Sequence, residues 1–297
     1  MTRVLCVGAA VIDFVFYLEE LPRTAEKFGT DSASIVGGGC AANAAVAVAR
    51  LGGSAVLGSR LGDDQIGDLI LSELADEGVD IANVTRTQGA RSSFSSIFID
   101  QNGERQIVNF RGEGLILNTS WFSDLRNIGA VLTDTRRKQA AIAALELAKA
   151  RSIPGVVDGE APIDPAILAP ASHVAFSMQG LKSFFPNLDP ANPGAALMQI
   201  AQMYDCWACV TDGANGVWFA GPQGIEHAAA FPIQPVDTLA AGDVWHGAFA
   251  LALAEGQSET AAIRFANAAA ALKCLNTGGR AGCPNRATVT KYLKENT

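Results

Sequence analysis

The sequence predicts a doubly wound α/β fold: a mostly parallel sheet with helices on both faces, plus a small β-sheet lid. Three observations carry that expectation. The opening run "VLCVGAAVID" is continuously apolar, as a strand buried on both faces would be. From Ile128 onward short apolar runs alternate with helical stretches, the rhythm of a parallel sheet covered by helices. Two earlier strand pairs break that rhythm and are assigned to a sheet of their own.

Each element can be justified in chain order. "FVFYLEELP" and "FGTDSASIVGGG" alternate loosely, like exposed strands. "AANAAVAVARLGG" has helical composition and a glycine stop. "AVLGSRLG" is a short strand and "DQIGDLILSELADEGV" the helix after it. Residues 92–111, "SSFSSIFIDQNGERQIVNFR", read as a hairpin with an Asn-Gly turn. "IGAVLTD" is a strand and "RKQAAIAALELAKA" a helix; "PGVVDGE", "HVAFS", "WACVTDG" and "GVWFAG" are further strands. Helices at 243–256, 258–275 and 286–295 end the chain. The expectation is one domain over 1–297, with lid strands inserted at about 13–36 and 91–112.

Composition narrows the function classes. At 297 residues the chain can bury a sizeable core, and 49% hydrophobic with 18% charged residues is ordinary for a soluble globular protein. A net charge of −8 argues against a nucleic-acid binder, which needs a basic surface. No uncharged apolar run reaches about 18 residues, so no membrane span is expected. Arg3 before an apolar run resembles an export signal, but Asp13 interrupts it and no small-residue cleavage site follows. A cytoplasmic protein is therefore expected. The six cysteines lack scaffold spacing, and Cys206 and Cys209 form a lone CxxC, so reduced thiols fit best.

Common nucleotide and hydrolase signatures, GxxxxGK[ST], GxGxxG after the first strand, HExxH and GxSxG, are absent. The informative stretch is "DTLAAGDVWHGAFA", residues 237–250. Ala240, Ala241 and Gly242 are small enough for close backbone approach, and their N–H groups sit where a helix begins and anions are favoured. Asp243 beside them could take a proton from an attacking hydroxyl. A plain Asp helix cap accounts for that stretch equally well. A second cluster, "VGGGCAANAAVAVARLG" at 36–52, places three glycines before a helix opened by Asn43.

Taken together with Asp13 after the first strand, these segments resemble the ribokinase or PfkB family of carbohydrate kinases. The likeness runs nearly end to end, through "VGAAVID", "GGGCAANAAVAVARLG", "RLGDDQIGDLILSELADEGVD", "GERQIVNFRG", "VTDGANGVWF" and "DTLAAGDVWHGAFALALA". It implies an ATP-dependent sugar kinase, a ribokinase-like fold, Mg²⁺ carried with ATP, and a homodimer formed through the lid. By position, Asp243 matches the catalytic base and Ala240, Ala241 and Gly242 the anion hole. Asp13, Gly38, Gly39 and Asn43 match sugar contacts; Thr211, Gly213 and Gly216 match the nucleotide region. Asp237 and Thr238 match a loop for a monovalent cation such as K⁺.

More particular segments ("SSFSSIFID", "LTDTR", "VVDGE", "GDVWHGA", "GGRAGCP") resemble the bacterial sulfofructose kinases. That likeness implies transfer to C1 of 6-deoxy-6-sulfofructose, with Lys27, Asn109 and Arg136 on the sulfonate. Charge-assisted bonds to such an anion are worth about 1.5–3 kcal/mol each. Rival readings are a kinase for fructose, a phosphorylated hexose, ribose or a nucleoside, and a sugar-binding regulator without chemistry.

Departures from the family pattern generate further expectations. Leu239-Ala240 replaces the usual Thr-Gly, and because Ala tolerates positive φ poorly, ordinary dihedrals are expected there. Ser177 and Gly180 stand where the family has an Asn-x-x-Glu motif tied to Mg²⁺, leaving Asp158 and Glu160 as candidates to hold a water of the metal. Asn43 departs from the Thr of the sulfofructose subgroup. His246 shares a helical face with Asp243 and reads as a packed histidine. Gly278–Gly282, "GGRAG", reads as a glycine turn or as a closure over the nucleotide or cation site.

Overall fold

Alternating burial sets the central sheet. In β1 (Arg3–Val7), Val4 and Cys6 enter one hydrophobic cluster and Leu5 and Val7 another, so both faces are covered. The structure, a computed structural model, describes residues 1–221 and 224–296. The expected single strand "VLCVGAAVID" divides in two. After Val7 the backbone leaves the sheet, because a side chain at Gly8 would meet the Asp134 carboxylate at 2.1 Å and Ala9 N–H donates to that carboxylate at 2.6 Å. The chain resumes as β2 (Val11–Tyr17), which belongs to the lid.

β3 (Ser32–Gly38) runs antiparallel to β2 and leads into α1 (Cys40–Arg50), an Ala/Val helix buried along almost its whole length. β4 (Ser54–Gly58) returns beside β1. β5 (Arg60–Gly62) and β6 (Thr85–Thr87) form a two-stranded ribbon around α2 (Gln65–Asp76), whose first turn is capped by Asp64. β7 (Phe94–Ile99) and β8 (Arg105–Phe110) make the expected hairpin and complete a four-stranded lid of order β3-β2-β7-β8.

Strand and helix then alternate as β9 (Ile128–Thr133), α3 (Lys138–Ala150), β10 (Gly155–Gly159), α4 (Pro165–Leu168) and β11 (His173–Ser177). α5 (Met178–Phe184), α6 (Gly194–Tyr204), β12 (Trp207–Thr211), β13 (Val217–Gly221) and β14 (Gly224–Ala228) follow. α7 (Ala241–Ala254), α8 (Glu259–Cys274) and α9 (Arg286–Glu295) close the chain. The main sheet has the order β14-β13-β12-β11-β10-β9-β1-β4, parallel from β12 to β4 and antiparallel at β13 and β14. β6, α4, α5, α6 and β14 had no counterpart among the expected elements. α7 starts two residues before the expected 243.

The topology fixes where a site can be. β1 connects outward to β4, whereas β9 to β12 march away on the other side of β1. The crevice past the carboxyl ends of β1 and β9 is therefore the switch point of the sheet. α1 and α7 lie over it on one face, and they pack unusually closely: a Cβ at Gly247 would sit 2.5 Å from the Ala44 carbonyl. Gly247→Ala is therefore expected to destabilise the fold by about 2–3 kcal/mol, lowering the melting temperature by several degrees. A thermal melt matching wild type would show that α1 and α7 separate at little cost.

Candidate active site

The carboxyl ends of the parallel strands deliver a group of acids to the switch crevice. Asp134 follows β9; Asp158 lies near the end of β10, with Glu160 just beyond it. Asp134 is buried and bridges the crevice, accepting from Ala9 N–H at 2.6 Å and Arg136 N–H at 2.9 Å. Asp158 is buried too, and burial followed by the nearby Glu160 and Asp134 charges pushes its pKa well above the usual carboxylate range. Arg136 pairs with Glu160 and donates to the Ala161 carbonyl at 2.9 Å.

Asp243 arrives from the opposite side, in the first turn of α7. Asn43, in the first turns of α1, donates from Nδ2 to Asp243 Oδ2 at 2.7 Å. The other Asn43 atom, Oδ1, is buried without a hydrogen-bond partner among the described residues. Cys40 Sγ and one oxygen each of Asp158 and Asp243 lie within 4.8 Å of one another. Asp243 keeps an accessible edge on the cleft. Desolvation, reinforced by the Asp158 charge and opposed by the Asn43 hydrogen bond, pushes its pKa up to about 7. His246 is buried, with Nδ1 2.8 Å from the Gly242 carbonyl and Nε2 3.1 Å from that of Ala175. Its Nε2 also lies 3.6 Å from Asp158 Oδ1, so this packed histidine borders the acidic group as well.

The turn before α7 corrects an expectation. Ala240 does adopt a positive φ, at φ 63° and ψ 9°, in the left-handed region. An L-residue pays roughly 1–2 kcal/mol there. Surrounding bonds over-determine the turn: Asp237 Oδ1 accepts from Leu239 N–H at 2.8 Å, and Ala241 N–H donates to Thr238 O at 3.2 Å. Ala241 N–H is thus already engaged, and the unpartnered first-turn donors of α7 fall to Gly242 and Asp243.

Register places the lid residues in one row. Val36, Asp13, Ser95 and Asn109 are successive cross-strand partners, so their side chains share a face. Asn109 Nδ2 donates to Ser95 Oγ at 2.9 Å. Burial raises the Asp13 pKa, against hydrogen bonding from Ser95 and the charge of Arg280. Gly38 is required beside it, because a Cβ there would lie 2.6 Å from Asp13 Oδ2. Gly39, at φ 91°, turns the chain against the Ala9 carbonyl. Lys27 lies exposed on the loop between β2 and β3, outside this row.

Thr211, Gly213 and Gly216 form the turn between β12 and β13, with both glycines at positive φ. The Asn-x-x-Glu positions have other duties: Ser177 Oγ accepts from Gly180 N–H at 3.0 Å to cap α5, and a Cβ at Gly180 would strike the Gly159 carbonyl at 1.8 Å. No Glu fits at Gly180. The "GGRAG" segment is a tight turn whose Gly279 N–H donates to Asp237 Oδ2 at 3.1 Å. It therefore lies against the Asp237 loop. Sequence reasoning missed Asp134, Cys40 and Lys273 as members of this region. Asp134 alone had a readable signal, an acid directly after the apolar strand "IGAVLT".

The family model for pfkB family carbohydrate kinases matches residues 1–286. The chain belongs to the pfkB family of carbohydrate kinases. It is an ATP-dependent sugar kinase with the ribokinase-like fold. Among its pfkB relatives, the ribokinase of Bacillus subtilis is 28% identical over 301 residues, 99% of this chain and 100% of that protein. A fructokinase of Vibrio alginolyticus is 26% identical, covering 86% of this chain and 91% of that protein. A solved chain from Agrobacterium tumefaciens, provisionally named a ribokinase, superposes with a TM-score of 0.90 at 35% identity, covering 99% of this chain and 98% of that one. The Arabidopsis thaliana ribokinase solved with ribose and ATP has a TM-score of 0.87 at 24% identity, a likeness of fold covering 99% and 98%.

Because the folded pKa of Asp243 lies above its unfolded value near 3.9, its contribution to stability is full below about pH 4 and is lost as pH rises through about 7. Asp243→Asn removes that desolvated charge. The variant is expected to melt several degrees above wild type at pH 8, with the gap narrowing at pH 5. Equal melting curves at both pH values would place Asp243 in ordinary solvent.

Proposed function

We propose that the chain transfers the γ-phosphoryl group of ATP to a primary sugar hydroxyl, that of C1 of 6-deoxy-6-sulfofructose, with Asp243 as the base. The observation that carries the reaction is the Asn43–Asp243 pair at the head of α7: a carboxylate of raised pKa beside unpartnered helix amides, with a buried acceptor, Asn43 Oδ1, still unsatisfied. A sugar hydroxyl can donate to Asn43 Oδ1 while its neighbour gives its proton to Asp243. As the new O–P bond forms and ADP departs, the amides of Gly242 and Asp243, at the positive end of α7, hold charge on the transferring group. Asp13 and Asn109, on one face of the lid, cover the sugar and exclude water. The glycine turn at Thr211, Gly213 and Gly216 suits the nucleotide at Gly213, where nothing lies within 4 Å of a built Cβ, while Gly216 anchors the turn against the Ala228 carbonyl.

Mg²⁺ fits the acidic crevice. Asp158 and Glu160 supply the oxygen donors it prefers, whereas burial and the surrounding acids keep the Cys40 thiol protonated and unsuited to it. Those two carboxylates would hold the ion, which neutralises phosphate charge when bound. The lid also supports the expected homodimer: Ile35 and Val108, on its other face, are 58% and 64% exposed. All six cysteines are free, which suits the expected cytoplasmic compartment, and no helix of the described residues is long and apolar enough to cross a membrane.

Support for sulfofructose comes from Asn109 in the Asp13 row; Lys27 lies outside that row, and Arg136 is the cation nearest the acidic crevice. A second reading, ribose, is favoured by the Arg136–Glu160 pair, which leaves that guanidinium already neutralised, and by the ribokinases among the relatives. ATP consumption with sulfofructose, ribose, fructose and fructose 6-phosphate separates them. Preference for sulfofructose, lost selectively in Arg136→Ala, is expected; equal losses on ribose and sulfofructose would remove Arg136 from an anion site.

Asp243→Asn is expected to lower kcat by at least about 10²-fold with sugar binding retained. In wild type, kcat/KM should fall as pH drops through about 7, where the base becomes protonated. Asn43→Ala removes the bond that lowers the Asp243 pKa, so its acid limb should move to higher pH. An unmoved limb would assign it to another group.

A further inference from the structure

Lys273 and Arg280 are the fully buried cations among the described residues, and Lys273 is the one bonded to the loop before α7. It lies in α8 and is fully buried, at 0% exposure. Its Nζ donates to the backbone carbonyl of Asp237 at 2.7 Å and lies 3.3 Å from Asp237 Oδ2. A buried ammonium is costly unless it is paired and hydrogen-bonded, and these two oxygens of one residue supply both conditions.

Asp237 passes the constraint on. Its carboxylate accepts from Leu239 N–H and Gly279 N–H, and its own N–H donates to the Cys274 carbonyl at 3.2 Å. Although burial alone would raise its pKa, these backbone bonds and Lys273 hold the carboxyl below the usual range. Leu239 is bonded directly before Ala240, whose left-handed conformation opens α7. A continuous path therefore runs from the Lys273 ammonium through Asp237 and Leu239 to the amides of Gly242 and Asp243.

That arrangement does not fit the free monovalent cation expected at Asp237 and Thr238. Nζ already engages the carbonyl of Asp237 and sits 3.3 Å from its carboxylate, so the one negative charge of this loop is neutralised from within the chain. We propose that the Lys273 ammonium is itself the cation of this loop, a positioning residue that holds the strained turn and the first amides of α7, so that turnover requires no added K⁺. The proposal rests on reading those amides as the site of the transferring phosphoryl group.

The test is an ion series with the full-length enzyme. Turnover is measured with Mg-ATP and sugar in tetramethylammonium buffer, then with about 100 mM K⁺, Na⁺ or NH₄⁺. Wild-type rates should agree within about twofold, and Lys273→Met should lose about tenfold or more in kcat while the sugar KM moves less than about threefold. K⁺ or NH₄⁺ should restore part of that loss, which a merely structural role would not produce. Activation of wild type by K⁺ of about fivefold or more would overturn the proposal. So would a Lys273→Met enzyme with unchanged kcat, or one whose loss no ion relieves. If Lys273→Met does not fold, the wild-type series decides alone. That series is indifferent to which group is the base, whereas failure of the parent reading would show as near-wild-type kcat in Asp243→Asn.

Discussion

The cost of burying acidic side chains close together is the constraint around which this molecule is arranged. Asp134, Asp158, Glu160 and Asp243 meet at the carboxyl ends of the central strands, and Arg136 is the guanidinium that offsets them there. The fold meets that cost by distributing hydrogen-bond donors from backbone and side chain. Ala9 and Arg136 N–H groups bind Asp134, Asn43 binds Asp243, and α7 points its positive end at the cluster. The residual imbalance is negative, which suits a site where a divalent cation and a polyphosphate meet. A crevice satisfied internally would have no reason to bind them.

The sheet and its helices were legible because burial on both faces leaves continuous apolar runs, and because Gly and Asn mark the ends of elements. The break within "VLCVGAAVID" was not legible. It depends on Asp134, 125 residues away, reaching back to Ala9 N–H, and local pattern carries no trace of such a contact. α5 was missed for a related reason, since a helix of seven residues shows little periodicity of its own.

The site divides in the same way. Asp243 could be read because an acid beside small residues stands out at the start of an apolar helix, whereas Asn43 and Gly38 were marked as contacts only by the resemblance to the family. The conformation of Ala240 could not, because propensity argues against it and only the surrounding bonds enforce it. Lys273 was hidden within "AALKC", where a lysine near the end of a helix reads as a solvated charge. Its burial follows from α8 packing beside the Asp237 loop, a tertiary fact. Gly180 reads as a departure in sequence and as a steric necessity in three dimensions.

The contact of α1 with α7 has a mechanical meaning. Gly247 brings the two backbones so near that the helices cannot shift independently without collision. Asn43 rides on one and Asp243 on the other, so their bond belongs to a single rigid jaw. The small sheet joins that jaw directly through Gly37, Gly38 and Gly39, where β3 leads into α1. The spacing of those two side chains is therefore set by the packing of the two helices. A group bound between them would meet a gap of fixed width, set by helix packing and not by loop position.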